Sequence, residues 1–94
     1  MNVVKVRGEN NKHRVLLYAL STCAWCKLAK KFLKERKVEY EYVDVDLVNE
    51  KEKEKIKMEI LNMGGELSYP TIIIDGKILI TGFRKDKLIE VLKI

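Results

Sequence analysis

The chain has 94 residues, 19 basic and 14 acidic side chains, a net charge of +5 and a hydrophobic fraction of 47%. That length supports one hydrophobic core, so residues 1–94 read as a single domain. The acidic residues are scattered among the basic ones, with no basic run interleaved with aromatics, which argues against nucleic acid as a partner.

The longest apolar run, residues 15–20, is too short to span a bilayer, and residues 1–7 carry no apolar leader. The expectation is a cytoplasmic monomer with no membrane attachment. Two cysteines are too few for a secreted disulfide framework. In a reducing compartment a lone pair points to catalysis or metal binding.

In chain order, residues 3–6 alternate apolar and polar as a short strand, and residues 8–11 (Gly-Glu-Asn-Asn) read as a turn. Residues 13–20 follow as a strand apolar on both faces, so the first two strands are expected to form a hairpin with the first at the sheet edge. Residues 24–36 show helical spacing: Cys26, Leu28, Ala29, Phe32 and Leu33 make the apolar face, and Lys27, Lys30, Lys31 and Lys34 are expected in solvent. Residues 38–45 alternate as a strand, with Val38, Tyr40 and Tyr42 on one side and Val43 and Val45 on the other.

Asn49 is a candidate N-cap, with Glu52 three residues on. The helix after it carries Glu50–Lys53, Glu52–Lys55 and Glu54–Lys57 pairs, an apolar stripe of Ile56, Ile60 and Met63 with Leu61 beside it, and a Gly64-Gly65 stop. Residues 71–74 form a strand, Asp75-Gly76 a hairpin turn, residues 77–81 the returning strand, and residues 84–93 a closing helix. This order predicts an α/β fold with a four-stranded mixed sheet, helices on both faces, and residues 1–12 as an additional edge strand and turn.

Both cysteines sit in Ser21-Thr22-Cys23-Ala24-Trp25-Cys26-Lys27, between a strand and a helix. That junction puts Cys23 at a helix N-terminus, where unpaired backbone N–H groups and the helix dipole favour a thiolate. Cys26, three residues on, is a helical neighbour able to close a disulfide with it. A zinc site sharing this pattern would need about four ligands, and the only histidine, His13, lies outside the motif. The spacing therefore points to a redox-active Cys23–Cys26 dithiol, with no metal and no bound cofactor.

With Ser68-Tyr69-Pro70-Thr71 and Thr81-Gly82-Phe83-Arg84-Lys85-Asp86 following in order, the chain resembles the glutaredoxin-like redoxins over residues 13–94. The last segment is similar to the Ser-Gly-Phe-Arg-Pro-Asp of the NrdH-type redoxins, which reduce ribonucleotide reductase. The resemblance implies a thioredoxin-like fold of glutaredoxin type and a thiol–disulfide oxidoreductase that reduces protein disulfides. In that chemistry Cys23 attacks the substrate disulfide and Cys26 resolves the mixed disulfide.

It also implies a cis Tyr69–Pro70 bond facing the cysteines, with the Tyr69 backbone offered to an extended substrate segment. Trp25, Lys27, Tyr69, Pro70, Thr71, Gly82 and Phe83 are the expected substrate-binding residues. The implied partners are a disulfide-containing protein and an upstream electron donor resembling thioredoxin reductase.

The chain departs from the family pattern in carrying Ala24-Trp25 instead of Pro-Tyr between the cysteines. Leu20 stands where a lysine or arginine usually precedes the motif, and Gly82-Phe83 where a Gly-Gly pair is usual. Those departures favour a protein over glutathione as partner. The alternatives are a glutathione-dependent glutaredoxin and, in a different class, an iron–sulfur cluster carrier working as a cysteine-bridged dimer.

Overall fold

The computed structural model describes residues 3–94; the first two residues of the expected 1–12 edge segment lie outside them. The elements are β1 (Val4–Val6), β2 (Val15–Ala19), α1 (Ala24–Glu35), β3 (Tyr40–Asp44), a 3-10 turn (Val45–Leu47), α2 (Glu50–Asn62), β4 (Thr71–Ile74), β5 (Ile78–Thr81) and α3 (Lys85–Leu92). Among the described residues they build a five-stranded mixed sheet in the order β1-β3-β2-β4-β5. It is a thioredoxin-like α/β fold. β2 runs parallel to β3 and antiparallel to β4, so the strand leading into the cysteine motif is held on both edges.

Two cores lie on the two faces of the sheet. Val15, Leu17 and Ala19 of β2 pack with Ala29, Leu33, Val38, Tyr40, Leu88 and Leu92, placing α1 and α3 on one face. Tyr18 of β2 packs with Val43, Val45, Ile56 and Ile60, placing α2 on the other. The alternation of residues 38–45 divides between these cores as its period of two requires.

Local signals end the elements where the sequence places them. The Asn49 side chain accepts the Glu52 N–H at 2.9 Å and caps α2. At its other end Gly64 takes φ +81°, and Gly65 N–H and Gly64 N–H donate to Ile60 C=O and Leu61 C=O, both at 3.0 Å. This is a Schellman closure, in which a left-handed residue lets the chain satisfy its own last carbonyls. Asp75 and Gly76 both have positive φ, 55° and 67°, as a type I′ hairpin demands.

Four expectations are corrected. β1 does not form a hairpin with β2; it pairs antiparallel with β3, in the register Val4↔Tyr42 and Val6↔Tyr40. Both edges of β2 are occupied, by β3 and β4, so the N-terminal strand joins the sheet at an outer edge, that of β3. Lys30 is not in solvent: its ammonium is 2.9 Å from Asp44 and 4.0 Å over the Tyr42 ring. Leu28 is about half exposed instead of inward, because it lies at the rim of its helix's apolar arc. Glu50–Lys53 and Glu54–Lys57 close at 3.3 and 3.6 Å, but no Glu52–Lys55 pair forms among the described residues.

Candidate active site

β2 delivers the chain to the site, and a short turn hands it to α1. Cys23 N–H donates to Leu20 C=O at 3.2 Å, and Cys23 C=O accepts the first helical bond from Lys27 N–H at 3.1 Å. Ser21 fastens this turn from outside. Its backbone N–H donates to Asp46 Oδ1 at 2.8 Å and its hydroxyl donates to Asp46 Oδ2. The two donors from Ser21 hold the Asp46 carboxyl below the usual carboxylate range.

Cys23 is the N-cap of α1, with extended φ −87° and ψ 120°. Its Sγ accepts the Cys26 N–H at 3.3 Å, the bond that a serine or aspartate oxygen makes at an ordinary N-cap. The sulfur is partly exposed and lies where the free first-turn amides of a helix receive an anion. Cys26, one turn further, is fully buried. Both are thiols. Burial pushes the Cys26 thiol up to about 12; its hydrogen bond with Cys23 acts in the same direction, while a hydrogen bond with the Leu20 backbone and, more weakly, the charge of Lys30 oppose it.

The opposite wall is the loop before β4. The Tyr69–Pro70 bond is cis, as the resemblance implies, and Tyr69 C=O lies 4.0 Å from Cys23 Sγ. Neither the N–H nor the C=O of Tyr69 has a backbone partner among the described residues. Burial, with the neighbouring Cys26 acting in the same direction, raises the pKa of the Tyr69 phenol. Pro70 is buried, and its C=O accepts Gly82 N–H at 2.7 Å, which draws the β5–α3 corner against the proline loop. Gly82 sits at φ +83°, a left-handed conformation that side chains other than glycine's rarely adopt.

Beside the cysteines a groove of about 690 Å³ runs between α1 and the start of α3. Trp25 and Leu28 form its open lip, and Phe32 and Phe83 meet edge to face inside it with ring centroids 5.7 Å apart. Trp25, between the two cysteines in sequence, is 62% exposed, a large apolar surface.

Of the residues expected at the site, Cys23, Cys26, Trp25, Tyr69, Pro70, Gly82 and Phe83 are thus brought around one surface. Lys27 is exposed and forms no ion pair among the described residues. Thr71 is fully buried, its hydroxyl donating to Ser68 C=O at 2.6 Å, so it shapes the loop from within. Lys30, Asp44 and the Ser21–Asp46 tie were not anticipated. The spacing shows Lys30 on the helical face of Cys26 but not its partners; Asp44 ends β3 and Asp46 lies in the 3-10 turn after it, both distant in sequence.

A model of the Glutaredoxin family matches residues 15–79, from the start of β2 into β5. The chain belongs to the glutaredoxin family. A glutaredoxin-like 8.6 kDa protein from a rubredoxin operon of Clostridium pasteurianum is 36% identical over 79 residues, covering 81% of this chain and 97% of that protein. The crystal structure of the glutaredoxin from Methanosarcina mazei Go1 superposes with a TM-score of 0.89 at 36% identity, covering 98% of this chain and 88% of that one.

The Escherichia coli NrdH-redoxin, described as a glutaredoxin-like protein with a thioredoxin-like activity profile, superposes with a TM-score of 0.63 at 26% identity, covering 83% of this chain and 93% of that one. Membership of this glutaredoxin family carries thiol–disulfide oxidoreductase chemistry in general. No helix among the described residues is long and apolar enough to cross a membrane.

Proposed function

We propose that this glutaredoxin reduces disulfides in protein substrates, with Cys23 as nucleophile and Cys26 as resolving thiol. The observation that carries the reading is the asymmetry of the pair. Cys23 Sγ is accessible, capped by an N–H and 4.0 Å from the Tyr69 carbonyl, whereas Cys26 is buried one turn below. The Cys23 thiolate attacks one sulfur of the substrate disulfide and expels the other as a thiolate. Cys26 then attacks Cys23 Sγ, forms the Cys23–Cys26 disulfide and releases the second substrate thiol. Two electrons pass from the dithiol to the substrate, and a thioredoxin-reductase-like donor restores it.

Protein, in preference to glutathione, is supported by the Tyr69 N–H and C=O, which have no backbone partner among the described residues and suit an extended segment, and by the broad apolar lip of Trp25 and Leu28. Leu20 packs partly buried against the α2-side core and offers no charge to a glutathione carboxylate.

The test compares insulin-disulfide reduction driven by dithiothreitol, by glutathione with its reductase, and by a thioredoxin reductase. Turnover with the thioredoxin reductase is expected to exceed that with glutathione. Cys23→Ser is expected to abolish activity and Cys26→Ser to trap a mixed disulfide with the substrate. A fully active Cys23→Ser protein would refute the mechanism.

A further inference from the structure

The second chemical step has a difficulty that the first does not. Cys26 must surrender its proton to attack Cys23, yet it is fully buried. Burial disfavours a thiolate unless a compensating charge is fixed nearby. The titratable groups around it are few. From α1 come Cys23 and Lys30; from the loop before β4 comes the Tyr69 phenol. From β3 come Tyr40, which donates its hydroxyl to Lys30 C=O at 3.4 Å, and Tyr42 and Asp44, which both touch the Lys30 ammonium. On the α3 side Lys85 sits over the Phe32 ring at 5.8 Å, further along the helix. Lys27 points to solvent.

Among these groups Lys30 is the cation on Cys26's own helical face, one turn away. It is also held in place. Its side chain is only 22% exposed, with Asp44 at 2.9 Å and the face of Tyr42 at 4.0 Å, so it lacks the mobility of a surface lysine. A solvated lysine at this spacing would be screened; a half-buried, clamped one acts through a lower dielectric.

We propose that Lys30, clamped by Asp44 and Tyr42, is a positioning residue that favours the Cys26 thiolate during resolution of the mixed disulfide. It touches no substrate and acts through Cys26. In the step it serves, Cys26 releases its proton to water and its sulfur bonds to Cys23 Sγ. The bond from Cys23 to the substrate sulfur breaks, and the departing thiolate takes the electron pair and then a proton. Asp44 both holds Lys30 and partly cancels its field. Removing the lysine charge and removing the aspartate charge must therefore have opposite effects, although each breaks the same ion pair.

The inference rests on the two-step dithiol reading, and a chromogenic aryl disulfide separates the two. Mixed in excess with reduced protein, it releases one coloured thiolate when Cys23 attacks and a second when Cys26 resolves. In Lys30→Met the second phase is expected to slow about tenfold at neutral pH and its pH midpoint to rise by about one unit, with the first phase unchanged. Lys30→Arg should restore both. Asp44→Asn, which keeps an oxygen for the ammonium, should resolve at least as fast as the parent with a lower pH midpoint.

A Lys30→Met protein whose second phase keeps the parental rate and pH profile overturns the inference alone. So does an Asp44→Asn protein as slow as Lys30→Met, since a merely structural pair would make the two equal. Absence of any second phase in the parent overturns the dithiol mechanism itself.

Discussion

One helical turn separates the two cysteines, and it divides their exposure. Cys23 occupies the cap, where the backbone is extended and the sulfur looks outward; Cys26 shares its face with Ala29 and Leu33 and looks into the core. Trp25 lies between them in sequence yet on the opposite side, with most of its ring uncovered. An exposed ring of that size within the motif is suited to a protein surface more than to a small disulfide. Trp25→Ala is expected to raise KM for a protein disulfide about tenfold, equivalent to ~1.4 kcal/mol. Its first-phase rate with the aryl disulfide should change less than about twofold. Equal losses on both substrates would show that the ring supports the loop and does not contact the partner. The motif residues were legible because their chemistry is local to a strand-to-helix junction. Lys30 was misread as solvated because its partners, Asp44 and Tyr42, belong to a strand that the helical pattern cannot reveal.

At the scale of elements, period and capping signals carried furthest where neighbours in sequence are neighbours in space. The α1 stripe, the Asn49 cap, the Gly64 closure and the Asp75-Gly76 turn all depend on residues within about one turn of each other. The partner of β1 depends instead on which sheet edge is left free, and no local pattern encodes that. Gly8 is instructive here. The sequence reads it as a turn glycine, but its φ is not left-handed. A Cβ there would lie 2.5 Å from Lys37 O and 2.7 Å from Glu39 N. The glycine thus permits close approach of two backbones, which Asn10 then locks by donating its N–H to Lys37 C=O and accepting Glu39 N–H, both at 2.9 Å. Gly8→Ala is expected to cost about 1–3 kcal/mol, the usual penalty of overpacking against atoms that cannot rotate away. Urea unfolding should show the lower midpoint, and amide exchange should show protection lost first in β1 and at Glu39. An unchanged midpoint would mean that the β1–β3 edge adjusts freely. A second element-scale tie joins Ser21 to Asp46; Asp46→Ala should accelerate exchange of the Ser21 amide and slow the attack by Cys23 a few-fold.

For the whole molecule, the buried thiol couples the redox site to global stability. Cys26 moves from about 9.0 toward about 12 in the folded chain, chiefly through burial. The folded state therefore holds this proton more tightly than the unfolded state does. Below the unfolded value both states are protonated, and the contribution of the buried thiol is fully present. As pH rises above about 9 the unfolded chain loses the proton first, and the reduced protein loses stability until the folded thiol also ionises. Tyr18, Tyr40 and Tyr69 are likewise raised by burial and act with the same sign, so the parent protein alone cannot isolate the cysteine. The comparison with Cys26→Ala can, because the tyrosines are common to both. Cys26→Ala should be the less stable near neutrality for want of packing at a fully buried site. Its deficit in thermal midpoint should then narrow from about pH 9 upward, by no more than a factor of about ten in the folding equilibrium constant per pH unit. A deficit that stays constant across that range would mean that the Cys26 thiol ionises in the folded chain as readily as in the unfolded one. The closed Cys23–Cys26 disulfide has no such proton to lose, so the stability gap between oxidised and reduced protein should widen over the same interval. Alkaline conditions would then shift the dithiol toward oxidation, and the dependence would be read from the redox equilibrium of the pair as pH is raised.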